Sequence, residues 1–84
     1  MYNEEKELEI TLLREKILNL IALYAEYGIH HEESWNSDDK MQDYYKELCI
    51  CEKSVLVDNY SKKTVDKLVA DARVFLRLKE IFWC

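Results

Sequence analysis

ITLLREKILNLIALYAEYG, residues 10–28, decides the fold. Its apolar side chains recur as Ile10, Leu13, Ile17, Leu20, Tyr24 and Tyr27, stepping three, four, three, four, three. That spacing keeps them on one face of a helix and gives a heptad-like seam. The seam predicts a helix over about residues 3–27. Gly28 follows at once, where a glycine can take the left-handed conformation that closes a helix, with Ile29 packing back on the last turn.

Two further segments carry the same period. Met41, Tyr44, Leu48, Cys51 and Val55 step three, four, three, four and predict a helix over about 38–57. Ser37 is expected to cap it, with Asp38 and Asp39 complementing the positive end of the helix. Val65, Leu68, Val69, Ala72, Phe75, Leu76, Phe82 and Trp83 share a broad face and predict a helix over about 62–82. Lys79 sits amid that face, near enough to the end to reach out of the core. Residues 29–37 read as a polar connection with Trp35 in its middle. Asn59, Ser61 or Thr64 is expected to cap the last helix after a short turn.

The chain has 84 residues, one glycine and no proline. A chain this short builds one thin core. An all-β chain of this length needs many tight turns, and turns draw on glycine and proline. The expected fold is therefore all-α, a single domain forming a three-helix antiparallel (up-down-up) bundle, with a helical homodimer as an extension. Three cysteines, an odd number, and an acidic start without an apolar stretch argue against a secreted disulfide scaffold or a targeting peptide. No run reaches the roughly 20 apolar residues of a membrane span. The expected location is a reducing cytoplasm, of a cell or of a host entered by a phage or virus.

The net charge of −5 disfavours non-specific binding to nucleic acid, which needs a basic surface. The charge is uneven. Glu26, Glu32, Glu33, Asp38, Asp39 and Asp43 oppose Lys40 alone, whereas Lys62, Lys63, Lys67, Arg73, Arg77 and Lys79 outnumber Asp66, Asp71 and Glu80.

No constellation of residues announces chemistry. His30 and His31 with Glu32 and Glu33 suggest zinc only if Cys49 and Cys51 join them, and two residues apart on a helix those thiols diverge. Cys84, the last residue, is expected to be exposed. Glu4-x-x-Glu7 lacks the second acidic motif that a magnesium-binding helix pair needs. No catalytic residue, metal or cofactor is expected. Leu13-Arg14-Glu15-Lys16-Ile17 is similar to the first-helix segment of all-helical chorismate mutases. The resemblance implies a small helical dimer in which Arg14 grips a substrate carboxylate. It covers five residues, and the first segment here has no further base after Lys16. On its own chemistry, Arg14 reads as a surface residue pairing with acids along its helix.

The sequence does carry more apolar side chains than three stripes require. Val74, Leu78 and Ile81 lie away from the Leu68–Phe75 face, Ile50 and Val57 lie opposite the Leu48–Cys51 seam, and Leu8, Leu12 and Leu23 flank the first seam. Surplus apolar surface on a small protein marks an interface. Trp35 and Tyr45 add aromatic anchors of the kind that dominate binding energy, and Glu32, Glu33, Asp38 and Asp39 would steer a basic partner toward them. The expected function is a non-enzymatic regulator or inhibitor that covers a partner protein's surface, in the manner of immunity proteins, antitoxins and phage-encoded inhibitors. The alternatives are a DNA-linked regulator using Lys62, Lys63, Lys67, Arg73 and Arg77, and a small enzyme of chorismate mutase type.

Overall fold

The computed structural model describes residues 3–82 and holds four helices, α1 Glu4–His30, α2 Glu32–Ser37, α3 Asp39–Leu56 and α4 Lys62–Phe82. The side chain of Phe82, expected in the core, lies outside what is described, as do Trp83 beside it and the terminal Cys84. All-α is the class observed. A fourth, short helix replaces the expected loop over 29–37, and residues 74–78 are helical.

α1 starts where the sequence allows it to. The Asn3 side chain accepts the Lys6 N–H at 3.1 Å, and Glu4, Glu5 and Glu7 fill the first turn. Leu13, Ile17, Leu20, Tyr24 and Tyr27 are buried on its inner face. The helix does not stop at Gly28. It runs to His30, and Gly28 keeps a negative φ. The glycine is there for space: a Cβ on residue 28 would lie 3.1 Å from Cδ2 of Trp35. The indole of α2 therefore sits directly on the backbone of α1. With the helix continuing, Ile29 is carried into solvent, 78% exposed, instead of folding back.

α2 is fixed to its neighbours by that ring and by Gln42, whose side-chain amide donates to the Trp35 carbonyl at 2.8 Å. The start of α3 differs from expectation by one residue. Asp38 is the cap, accepting the Met41 N–H at 3.1 Å, while the Ser37 hydroxyl turns back to donate to the Glu33 carbonyl at 2.9 Å.

α3 ends without glycine. Asp58 takes the left-handed conformation with φ 57°. The Asn59 N–H donates to the Ser54 carbonyl at 2.8 Å, and the Asp58 N–H donates to the Val55 carbonyl at 3.0 Å. These two bonds are the Schellman closure, in the position where glycine is the usual residue. The Ser61 carbonyl then accepts the Val65 N–H at 3.0 Å, so Ser61, one of the three expected caps, precedes the first turn of α4.

The three long helices each touch the other two. Lys6 meets Asp58 at 3.3 Å, Arg14 meets Glu52 at 2.8 Å, and the Tyr24 and Tyr44 rings are 6.5 Å apart. Positions ascending along α1 thus meet positions descending along α3. Among the described residues the core holds twelve buried side chains, including Met41, Leu48 and Val55 from α3 and Val65, Val69, Ala72 and Leu76 from α4. Tyr44, Cys51, Leu68 and Phe75 are half-buried around it. The molecule measures 49 × 19 × 18 Å, a short rod.

Tyr24 joins three helices. Its ring is fully buried, and its hydroxyl donates to the Ala72 carbonyl of α4 at 2.6 Å. Tyr44, its neighbour on α3, contacts Phe75 with ring centroids 5.2 Å apart. Burial pushes the Tyr24 phenol well above its usual range, so it is a permanent donor.

Two outcomes follow from these contacts. Tyr24→Phe removes one buried hydrogen bond and leaves the Ala72 carbonyl with its helical donor, so urea denaturation should show a loss of about 1 kcal/mol. Asp58→Val places a β-branched residue at a left-handed position and should cost about 1–2 kcal/mol, while Asp58→Gly should match or exceed the parent in melting temperature.

Candidate functional site

The surplus apolar residues of α4 and α3 face water. Val74, Leu78 and Ile81 are 58%, 47% and 61% exposed, on the side of α4 opposite Val65, Val69 and Leu76. Ile50 and Val57 are likewise exposed. Val57 is the residue that caps α3 at its C-terminus. Ile50 borders a shallow groove of about 440 Å³ between α3 and α4, with Tyr44 and Leu68 as its apolar floor and Glu47, Lys67 and Asp71 at its rim. The packing of α4 on α1 and α3 explains this arrangement. Ala72 faces Tyr24 and Phe75 faces Tyr44, which turns the Val74 side of the helix outward by helical geometry.

Leu8, Leu12 and Leu23 are also exposed. Leu18 and Leu56, which had no place in the reading of the sequence, are exposed as well, and Ile29, expected to pack back on its helix, joins them. The signal for two of them was present. Leu18, Ala22, Ala25 and Ile29 step four, three, four, a second stripe on α1, but its two central members are alanines.

Trp35 and Tyr45 come together. Their rings are 5.6 Å apart at 84°, an edge-to-face pair, and both are half-buried. They form one wall of a groove of about 480 Å³, with Ala25, Gly28 and Ile29 opposite and Glu32 at its mouth.

The four acids expected to steer a partner differ in their surroundings. Glu32, Glu33 and Asp39 are exposed in the first turns of α2 and α3. Asp38 is half-buried and held at 2.7 Å by Lys79. Lys79 also lies 5.3 Å from the centre of the Phe75 ring. Burial of Asp38 opposes its ionisation. The hydrogen bond from Lys79 and the N–H groups of Met41 and Lys40 outweigh that opposition, and its carboxyl falls below the usual range.

The remaining candidates have structural surroundings. His31 stacks on Tyr27 with centroids 4.4 Å apart, and His30 is exposed. No group of three or more metal-ligating side chains occurs among the described residues. Cys49 and Cys51 are free and half-buried, and burial pushes the Cys51 thiol up. Arg14 is not paired along its own helix. Its Nε and Nη2 both donate to Oε1 of Glu52 on α3, at 2.9 and 2.8 Å. The guanidinium that the chorismate mutase resemblance assigns to a substrate carboxylate is here on a carboxylate of the protein. The buried hydroxyls of Tyr27 and Tyr60 make no hydrogen bond of good geometry to the described residues.

No helix among the described residues is long and apolar enough to cross a membrane. No protein-family model, curated protein or solved structure matches the chain.

Asp38 gives this region a pH dependence. Its folded pKa lies below the ordinary 3.8, so its contribution is complete above that value and is lost as pH falls through the folded one. Asp38→Asn should keep much of the cap, lose the Lys79 pair, and flatten the acid limb of a stability–pH curve relative to the parent. Asp38→Ala should lose both and cost about 1–2 kcal/mol at neutral pH by chemical denaturation.

Proposed function

We propose that the chain is a small non-enzymatic regulator or inhibitor that acts by covering the surface of a partner protein. The observation that carries this reading is the outward stripe of α4. Val74, Leu78 and Ile81 form an apolar line on a helix whose opposite face already supplies the core. Ile50 borders a groove floored by Tyr44 and Leu68 beside the earlier turns of the same helix. Such a strip has the makings of an interface centre, apolar in the middle with charged residues at the edge. In this proposal the long helices run up-down-up, and α2 is a bracket inserted in the first connection.

The partner is expected to be basic where it meets the α2 end, since Glu32, Glu33 and Asp39 are exposed there. Acids of this kind speed encounter and set orientation more than they add affinity. Immunity proteins, antitoxins and phage-encoded inhibitors work in this way.

A second reading has its own observation. Lys62, Lys63, Lys67, Arg73 and Arg77 are all exposed on α4. A helix with five exposed bases can follow a phosphate backbone, and binding of that kind weakens steeply with salt. The same helix carries the apolar stripe, which phosphate contact leaves without a role, so the protein partner is preferred.

The test is affinity capture from the native host read by mass spectrometry, with the Leu78→Glu/Ile81→Glu double variant in parallel. Both side chains are about half exposed or more, so the variant should keep the helical circular dichroism of the parent. It should lose a stoichiometric partner by about tenfold or more. Unfolding of the variant, or undiminished capture, would overturn the reading. A gel shift at low salt that vanishes with added salt would favour DNA.

A further inference from the structure

A different face carries a second inference. Along α1, Leu18, Ala22, Ala25 and Ile29 occupy the outer part of the flank that looks toward α3, the flank on which Arg14 touches Glu52 and Gly28 touches Trp35. Leu18 and Ile29 are 45% and 78% exposed. On α3, Tyr45, Cys49 and Leu56 fall on one side at roughly 3.6 residues per turn, beside Glu52. The two helices thus border an apolar trough that is open at the Trp35 end. Its floor holds no net charge where Arg14 and Glu52 neutralise each other, and its upper end is the groove bounded by Trp35. Alanines along one wall allow another helix to approach closely.

We infer that the trough between α1 and α3 is covered by the same trough of a second copy of the chain, about a two-fold axis running along the rod. The charges at its edges select this occupant. The α1 edge carries Glu15 and Glu26, and the α3 edge carries Lys46 and Lys53 with Asp39 one heptad before them at the α2 end, all five exposed. A two-fold axis along the rod lays α1 of one copy over α3 of the other, so the acidic edge meets the basic edge twice. A two-fold axis across the rod would instead set α1 on α1 and α3 on α3, with like charges opposed.

The level of the residues also fits. Arg14 lies opposite Glu52 within one chain, so Glu15 and Lys53 stand at nearly the same height on opposite edges. The axis along the rod preserves height and brings Glu15 to Lys53 of the second copy. The α4 stripe lies on another helix and stays free, so this pairing stands or falls independently of the partner protein proposed above.

Sedimentation velocity on the purified chain tests the pairing. The parent should dimerise reversibly at concentrations up to about 100 µM. Ile29→Glu should raise the dissociation constant about tenfold or more, because a two-fold axis repeats the defect. Glu15→Lys and Lys53→Glu should each weaken the dimer, and the double variant should restore it. Leu78→Glu should leave the dimer unchanged. A parent that stays monomeric would overturn the inference, as would a double variant no better than the singles or a dimer lost with Leu78→Glu but kept with Ile29→Glu. Retained helical circular dichroism in each variant separates loss of pairing from loss of fold.

Discussion

Burying a phenol costs least when its hydroxyl finds an acceptor, and Tyr24 finds one in the backbone of α4. The bond to the Ala72 carbonyl holds α4 at a fixed height and rotation against α1. Residue 72 is alanine, which keeps the backbone carbonyl within reach of the hydroxyl. The Tyr24 ring also touches Tyr44, which in turn touches Phe75, so α3 is located by the same residue. Rotation of α4 decides which of its side chains face water. With Ala72 turned inward, Val74, Leu78 and Ile81 face outward. The candidate interface is thus a consequence of how the core closes.

Much of this was legible from periodicity. The Leu13–Tyr27 seam, the α4 face and the outward position of Ile50, Val57, Val74, Leu78 and Ile81 all follow from counting along a helix. What escaped depends on contacts between residues far apart in the chain or on backbone conformation. Gly28 reads as a terminator, because glycine after an apolar seam commonly is one. Here the indole of Trp35 needs the space, and no local pattern reveals that. α2 is too short to show a period, and its position depends on the same ring. Asp58 takes a left-handed conformation, which aspartate can adopt but which a turn of Asp, Asn, Tyr and Ser does not assign to any one of its residues. Arg14 and Glu52 are 38 positions apart, beyond the reach of any helix-neighbour rule. The Leu18–Ile29 stripe was readable in principle, but alanines weigh little as apolar anchors.

The uneven charge of the sequence also takes on a different meaning in three dimensions. Its acidic stretch, 26–43, and its basic stretch, 60–84, suggest two separate poles. Folding brings them together where Asp38 holds Lys79. Part of the asymmetry is therefore internal. Desolvation works against that pair, but the cap bond from Met41 and the nearby Phe75 ring help to hold both partners in place. Of the acidic stretch, Glu26, Glu32, Glu33, Asp39 and Asp43 are left facing water.

The outward stripe of α4 also has a consequence for valency. On one chain it is a single site of modest size. Two chains joined about a two-fold axis through their α1–α3 sides would display it twice, at a fixed separation and with related orientations. A target with two matching sites could then engage both stripes, and the second contact would form at the high local concentration set by the first. Such avidity commonly strengthens binding by about a hundredfold or more without any new contact. A monomeric target would gain nothing from it. A weak stripe on a small chain could in this way discriminate between assembled and unassembled forms of the same protein.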